Sequence, residues 1–330
     1  MAALAAAMVL AGCGGSDTNT NADPTEQLPA EGGLREKVRA AASPAKGDFP
    51  AVEGRSLQDI ADTIGGGPEA ALATSVLTEG ENRLVFGVID PEGAFIYGKS
   101  AVYVARTPDA RAEGPFPAPA DLLVTEPAYR SKQAATESDP FAAVYAAQVR
   151  FRRPGTHYVL TVTDQGGGKL VAAPAEVKVI SDRADRIPDV GEPAPRVETD
   201  TVATAKGDVE AIDTRQPPSN LHARSFADVR GSKPVALLFS TPQLCQSRVC
   251  GPVTDIALQT AAEYGDRVEF IHQEVYVGND PAKGLRPPLQ AFNLRTEPWL
   301  FVVDAQGRVT ARLEGSFGLA AFERAVQTAL

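Results

Sequence analysis

Side chains able to hold a redox centre or a metal are scarce in this sequence. Only 3 cysteines and 3 histidines occur among 330 residues. Three cysteines are too few to build a disulfide scaffold. The histidines, His157, His222 and His272, stand far apart in the chain, which argues against a multi-histidine metal cage, and no metal is expected. Basic charge is in deficit: 32 Lys and Arg against 42 Asp and Glu leave a net charge of −10. A nucleic-acid binder carries a basic footprint, so nucleic acid is not an expected partner. After residue 12 no uninterrupted apolar run reaches about 18 residues, so no internal membrane span is expected. Nucleotide, phosphate-loop and haem motifs are lacking, and no cofactor is expected. What remains is an ordinary globular balance, with 43% hydrophobic and 22% charged residues. The length suggests about two domains. Glycine (29) and proline (26) are in surplus and should concentrate in turns and linkers.

The first twelve residues, MAALAAAMVLAG, are small and apolar, and Cys13 follows. The run Leu10-Ala11-Gly12-Cys13 resembles a bacterial lipobox, although no Lys or Arg precedes the apolar stretch. The resemblance implies removal of a signal peptide over 1–12 and lipidation of Cys13. The protein would then sit on the extracytoplasmic face of the cell membrane through a lipid anchor. That compartment permits disulfides, and the one remaining cysteine pair is Cys245 and Cys250. Residues 13–71 read as a disordered tether, rich in Ala, Gly, Pro, Ser and charge. Leu57 to Ile64 forms an amphipathic exception.

Between 72 and 181 the pattern changes to period two. Leu84, Phe86 and Val88 alternate with their neighbours, as do Val102 and Val104, then Tyr145, Ala147, Val149 and Phe151, then Tyr158, Leu160 and Val162, then Val177 and Val179. Short alternating segments between Pro, Gly and Asp turns predict an all-β sandwich. Arg153-Pro154-Gly155-Thr156-His157-Tyr158-Val159-Leu160-Thr161-Val162 resembles the pre-terminal strand of immunoglobulin-like extracellular modules. His157 is expected to be a solvated strand residue. With no cysteine and no acid/base set, this module is expected to contribute no chemistry and to be removable.

The last hundred residues differ again. Val235 to Phe239 reads as a buried parallel strand. Helical spacing follows from Val253 to Tyr264, then a strand at 268–275, a short helix opened by Pro287-Pro288, strands at 299–303 and 308–313, and a closing helix from Leu319. Here the chain resembles the thioredoxin-like superfamily over roughly 190–330. Cys245 lies six residues after Phe239, Thr296-Glu297-Pro298 precedes WLFVVD, and Val302 to Val309 reads as the family's terminal hairpin. Val190 to Pro195 resembles its extracytoplasmic lead-in. The resemblance implies an α/β thioredoxin-like domain within 182–330, with Cys245 as nucleophile and Cys250 as its resolving and disulfide partner. It also implies a cis Glu297–Pro298 bond, with Pro298 shaping the groove for a partner's extended chain. Cys245 is expected at a helix N-terminus, its thiolate favoured by the dipole and by Arg248. The Glu297 carboxylate should oppose that effect.

The spacing departs from the family: this chain has C-x4-C where C-x-x-C is usual. Five positions apart, the sulfurs meet only if the loop curls back. Thiol–disulfide exchange with extracytoplasmic protein thiols or disulfides is the leading expectation. The alternative is a binding scaffold stapled by a structural disulfide. Copper delivery, by resemblance to cytochrome-oxidase assembly factors, ranks lower, because their spacing is C-x-x-x-C and their downstream histidine has no counterpart here. His272 is expected to be a core or edge residue.

Overall fold

A computed structural model describes residues 23–135, 141–245 and 249–330. Cys13 and Arg248 lie outside those residues, as do the apolar leader and the expected lipid anchor.

The first described segment is not a tether. Helix α1 (Leu34–Ala41) buries Val38 and Ala41, and Leu28 ahead of it is also buried. Arg35 Nε donates to the Leu28 carbonyl at 2.9 Å, and Arg39 pairs with Asp23 at 2.7 Å. Leu34, Val38 and Ala41 share one helical face, so a few apolar residues suffice to dock the segment despite its polar composition. Helix α2 (Leu57–Asp62) opens on a capping box in which the Ser56 hydroxyl accepts from the Asp59 amide. It buries Leu57 and Ile60.

Nine strands follow: β1 (Glu69–Leu72), β2 (Leu77–Thr78), β3 (Gly80–Ile89), β4 (Ser100–Ala105), β5 (Glu113–Ala118), β6 (Ala120–Leu122), β7 (Ala143–Phe151), β8 (Gly155–Asp164) and β9 (Leu170–Ile180). They form two sheets, ordered β1-β3-β7-β6 and β2-β9-β8-β4-β5. The alternating residues of the sequence fall in β3, β4, β7, β8 and β9, where Leu84, Phe86, Val102, Tyr145, Val149 and Val179 are buried. His157 is not solvated. It is 6% exposed and packs edge-on against Phe151 at 4.9 Å. Burial pushes its pKa down, and the nearby Arg106 acts in the same direction.

A connecting stretch contains α3 (Phe226–Val229). Then come β10 (Val235–Phe239), α4 (Cys250–Tyr264), β11 (Glu269–Gln273), α5 (Pro287–Ala291), β12 (Trp299–Val303), β13 (Val309–Glu314) and α6 (Leu319–Gln327). The sheet order is β11-β10-β12-β13. Strand β10 runs parallel to β11 and antiparallel to β12, with Leu237 opposite both Ile271 and Phe301. This is the β-α-β-α-β-β-α order that the sequence predicts, and the architecture is mixed α/β. Val235, Leu237, Phe239 and Phe301 pack with Phe226, Leu289 and Phe292 on one face.

The other face is shared. Ala236, Leu238, Leu300, Val302, Ile256 and Phe322 belong to one continuous core with Leu84, Phe86 and Tyr145 of the β sheets. Polar ties run across the same boundary. The Asp121 carboxylate accepts from the amides of Gly318, Ala320 and Ala321 at 2.9, 3.1 and 3.2 Å, so a β-sheet residue caps α6. Two glycines mark the closest approaches. A Cβ at Gly318 would lie 2.5 Å from both Asp121 Oδ1 and the Leu122 carbonyl, and one at Gly251 would lie 2.3 Å from the Gln133 carbonyl. The expectation of a removable β module therefore fails on packing: removing it strips a core face, a helix cap and the neighbour of Gly251. No helix among the described residues is long and apolar enough to cross a membrane.

Candidate functional site

The cysteine site begins where β10 ends. Thr241 accepts from the amides of Leu244 and Cys245 at 3.2 and 3.1 Å, which curls the loop back on itself. Helix α4 starts at Cys250, with Pro252 in its first turn, where no amide hydrogen is needed. The curl brings the sulfurs together across the C-x4-C spacing. The Cys250 thiol hydrogen-bonds with Cys245, and both are present as thiols. Cys245 is half-buried and Cys250 is wholly buried.

One expectation needs correction. The described helix begins at Cys250, so the helix N-terminus acts there and not at Cys245. Even there burial wins: it pushes the Cys250 thiol well above its ordinary value, assisted by Cys245 and Glu297 and opposed by the Thr241 backbone.

Glu297 and Pro298 enter from the strand opposite. The Glu297–Pro298 bond is cis. Burial, then the Cys245 charge, push the Glu297 carboxyl up to about 7, while a hydrogen bond from the Tyr276 hydroxyl holds it back. Tyr276 is itself pushed up by burial and by Glu297. Sequence reading did not find Tyr276. A cavity of about 400 Å³ adjoins this acid, with Val249, Thr296 and Glu297 on one side and Ser75, Phe95 and Phe141, from loops between the β strands, on the other. The β unit walls the space beside Glu297.

Behind the loop lies a second polar cluster that sequence reading also missed. Glu274 is fully buried; its Oε2 accepts from the Thr214 amide and hydroxyl at 2.9 and 2.8 Å. The Gln243 amide donates to that hydroxyl at 3.2 Å, tying the cysteine loop down. Beside it Asp213, His222 and His272 converge, each with one ligand atom within 4.8 Å of the others. Burial opposes ionisation of Asp213, but His272 and His222 hold its carboxyl well below the usual range. His272 stays above the ordinary histidine value against its own burial, because Asp213 and Glu274 face it. Distance in sequence was therefore a poor guide: β11 and the 213–222 segment bring two of the three histidines together. A usable signal was present at the end of β11, where the apolar Phe270-Ile271 is followed by the polar run His272-Gln273-Glu274.

Part of the chain is similar in structure to thioredoxin-like thiol:disulfide interchange proteins. A putative thiol:disulfide interchange protein DsbE from Chlorobium tepidum matches 43% of this chain and 95% of its own, at 17% identity and a TM-score of 0.30. A thioredoxin family thiol:disulfide interchange protein from Chlorobium tepidum TLS matches 44% of this chain and 99% of its own, at 21% identity and a TM-score of 0.29. No family model and no curated protein matches the chain.

Proposed function

We propose that this protein is a lipid-anchored extracytoplasmic thiol–disulfide oxidoreductase that uses Cys245 and Cys250. The observation that carries the reading is the sulfur pair itself: one half-buried thiol in contact with one fully buried thiol, beside an acid held near neutrality. The Cys245 thiolate attacks a partner disulfide, one S–S bond exchanges for another, and the leaving partner thiolate takes a proton. Cys250 then loses its proton and attacks the Cys245 sulfur. The second partner thiol leaves, and two electrons have passed to the partner. In the mixed disulfide Cys245 no longer carries charge, so one of the influences that holds the Cys250 proton is relieved at the step that needs it. Glu297, ionised above about 7, is the group placed to accept that proton. Pro298 stands on the wall that receives the partner's chain. Anchoring rests on Leu10-Ala11-Gly12-Cys13, and the immunoglobulin-like reading of the sandwich rests on its alternating strands and its Arg153–Val162 segment.

Trapping tests the roles. With a disulfide-bonded partner peptide, Cys250→Ser should accumulate a mixed disulfide through Cys245, and Cys245→Ser should form none. Equal trapping by both variants would reverse or remove the assignment.

A further inference from the structure

Asp213, His222 and His272 are each 1% exposed or less and lie at the base of the cysteine loop. Their hydrogen bookkeeping does not close. The Ser240 carbonyl can only accept, and His272 Nε2 lies 3.0 Å from it, so Nε2 carries the hydrogen and a neutral ring presents a bare Nδ1 lone pair. That nitrogen is 3.5 Å from Asp213 Oδ2 and makes no hydrogen bond. His222 Nε2 lies 3.1 Å from the same oxygen, and His222 Nδ1 is buried with no partner. With both rings neutral, one carboxylate oxygen thus faces two ring nitrogens with one donated hydrogen among them. A buried lone pair aimed at a carboxylate is repelled unless a cation stands between them.

The spacing separates a proton from a metal. A charge-assisted N–H···O bond draws its atoms to about 2.7–2.9 Å. Tetrahedral zinc holds N and O ligands at about 2.1 Å from the ion, which sets them about 3.4 Å from one another. The 3.1 Å His222 contact suits an ordinary hydrogen bond as well as a metal edge, but the 3.5 Å His272 contact is too long for a charge-assisted bond and matches the metal value. The outer shell is in place for two of the three ligands, Asp213 and His272, while His222 Nδ1 has no acceptor. Asp213 Oδ1 accepts from the Arg215 amide at 2.8 Å, Oδ2 accepts from the Ser219 amide at 2.7 Å, and the Ser240 carbonyl fixes the His272 ring. Imidazole and carboxylate donors suit zinc-class divalent ions better than soft monovalent copper. A cavity of about 250 Å³ lined by Asp213, Thr214, Gln243 and Leu244 adjoins the cluster on its Asp213 side.

We propose that Asp213, His222 and His272 bind a divalent metal ion of the zinc class, fastening the 213–222 segment to β11 beneath the cysteine loop. The site uses neither cysteine. The test is metal content of the tag-free full chain after folding in the presence of zinc and exhaustive dialysis. About one zinc per chain is expected for the wild type and for the Cys245→Ser/Cys250→Ser variant, with at least about tenfold weaker binding in His222→Gln and His272→Gln. Cobalt(II) in place of zinc should give visible ligand-field bands without a thiolate charge-transfer band. The site is overturned if the wild type retains less than about a tenth of an equivalent, leaving a buried imidazolium only. It is equally overturned if binding disappears with the cysteines, or survives undiminished in both histidine variants. Should a histidine variant fail to fold, the wild-type stoichiometry and the cobalt spectrum decide alone.

Discussion

The β unit of residues 69–180 and the C-terminal α/β unit both bury the apolar residues of their central strands, but they differ in what they do with polar groups. In the β unit the buried polar side chains serve packing and capping: Asp121 caps α6, and Ser100 bonds Thr163 at 2.8 Å. In the C-terminal unit the titratable ones concentrate, with two thiols, Glu297, Tyr276, Glu274 and the Asp213 cluster around the loop after β10. The lesson is that chemical silence is not independence. The silent half covers one face of the other half's sheet, caps its last helix and walls the cavity beside Glu297.

The sharpest way to break this comparison is deletion. A chain lacking 69–181 exposes the apolar face of Ala236, Leu238, Leu300 and Val302 and is expected to aggregate or to lose its cooperative thermal transition. A soluble fragment that melts cooperatively would show that the two halves are separable after all. A smaller effect is expected from Asp121→Ala. Three amides lose their acceptor, and Arg83, 4.0 Å away, keeps its bond to the Ser316 carbonyl but loses its carboxylate counter-charge. The loss should be about 2–4 kcal/mol in denaturant unfolding. A loss under about 0.5 kcal/mol would place the tie between the halves elsewhere.

The smallest effect concerns pH. Glu297 has a folded pKa of about 7, above the 4.5 of the unfolded chain, so the folded state binds its proton more tightly. Its contribution to stability is therefore full below about 4.5 and is lost as pH rises to about 7. Glu297→Gln should remove that decline, along with an inflection near neutral pH in the rate at which Cys250 resolves a mixed disulfide. Identical pH profiles for both proteins would take Glu297 out of the mechanism.

The sequence made the strands legible because both periodicities are strong: alternation in Leu84, Phe86 and Val88, and the apolar run Val235 to Phe239. The cysteine pair and the cis Pro298 were legible through family resemblance. Other features were hidden because they depend on contacts distant in sequence. Residues 28–41 read as a tether since their composition is polar, yet Leu28, Val38 and Ala41 are enough to dock them. His222 and His272 are separated by β10 and α4 and meet only when β11 pairs beside β10. The constraint on Gly251 is the Gln133 backbone, far away in the chain.

The central claim is that Cys245 and Cys250 form an exchanging pair and not a staple. Its most direct test is the reduction potential of the full chain, equilibrated in defined thiol–disulfide buffers and read by alkylation of both cysteines. The account predicts a reversible two-electron transition above about −300 mV, where labile exchangers lie. A disulfide that resists reduction below about −300 mV, or thiols that never oxidise to a pair, would contradict it.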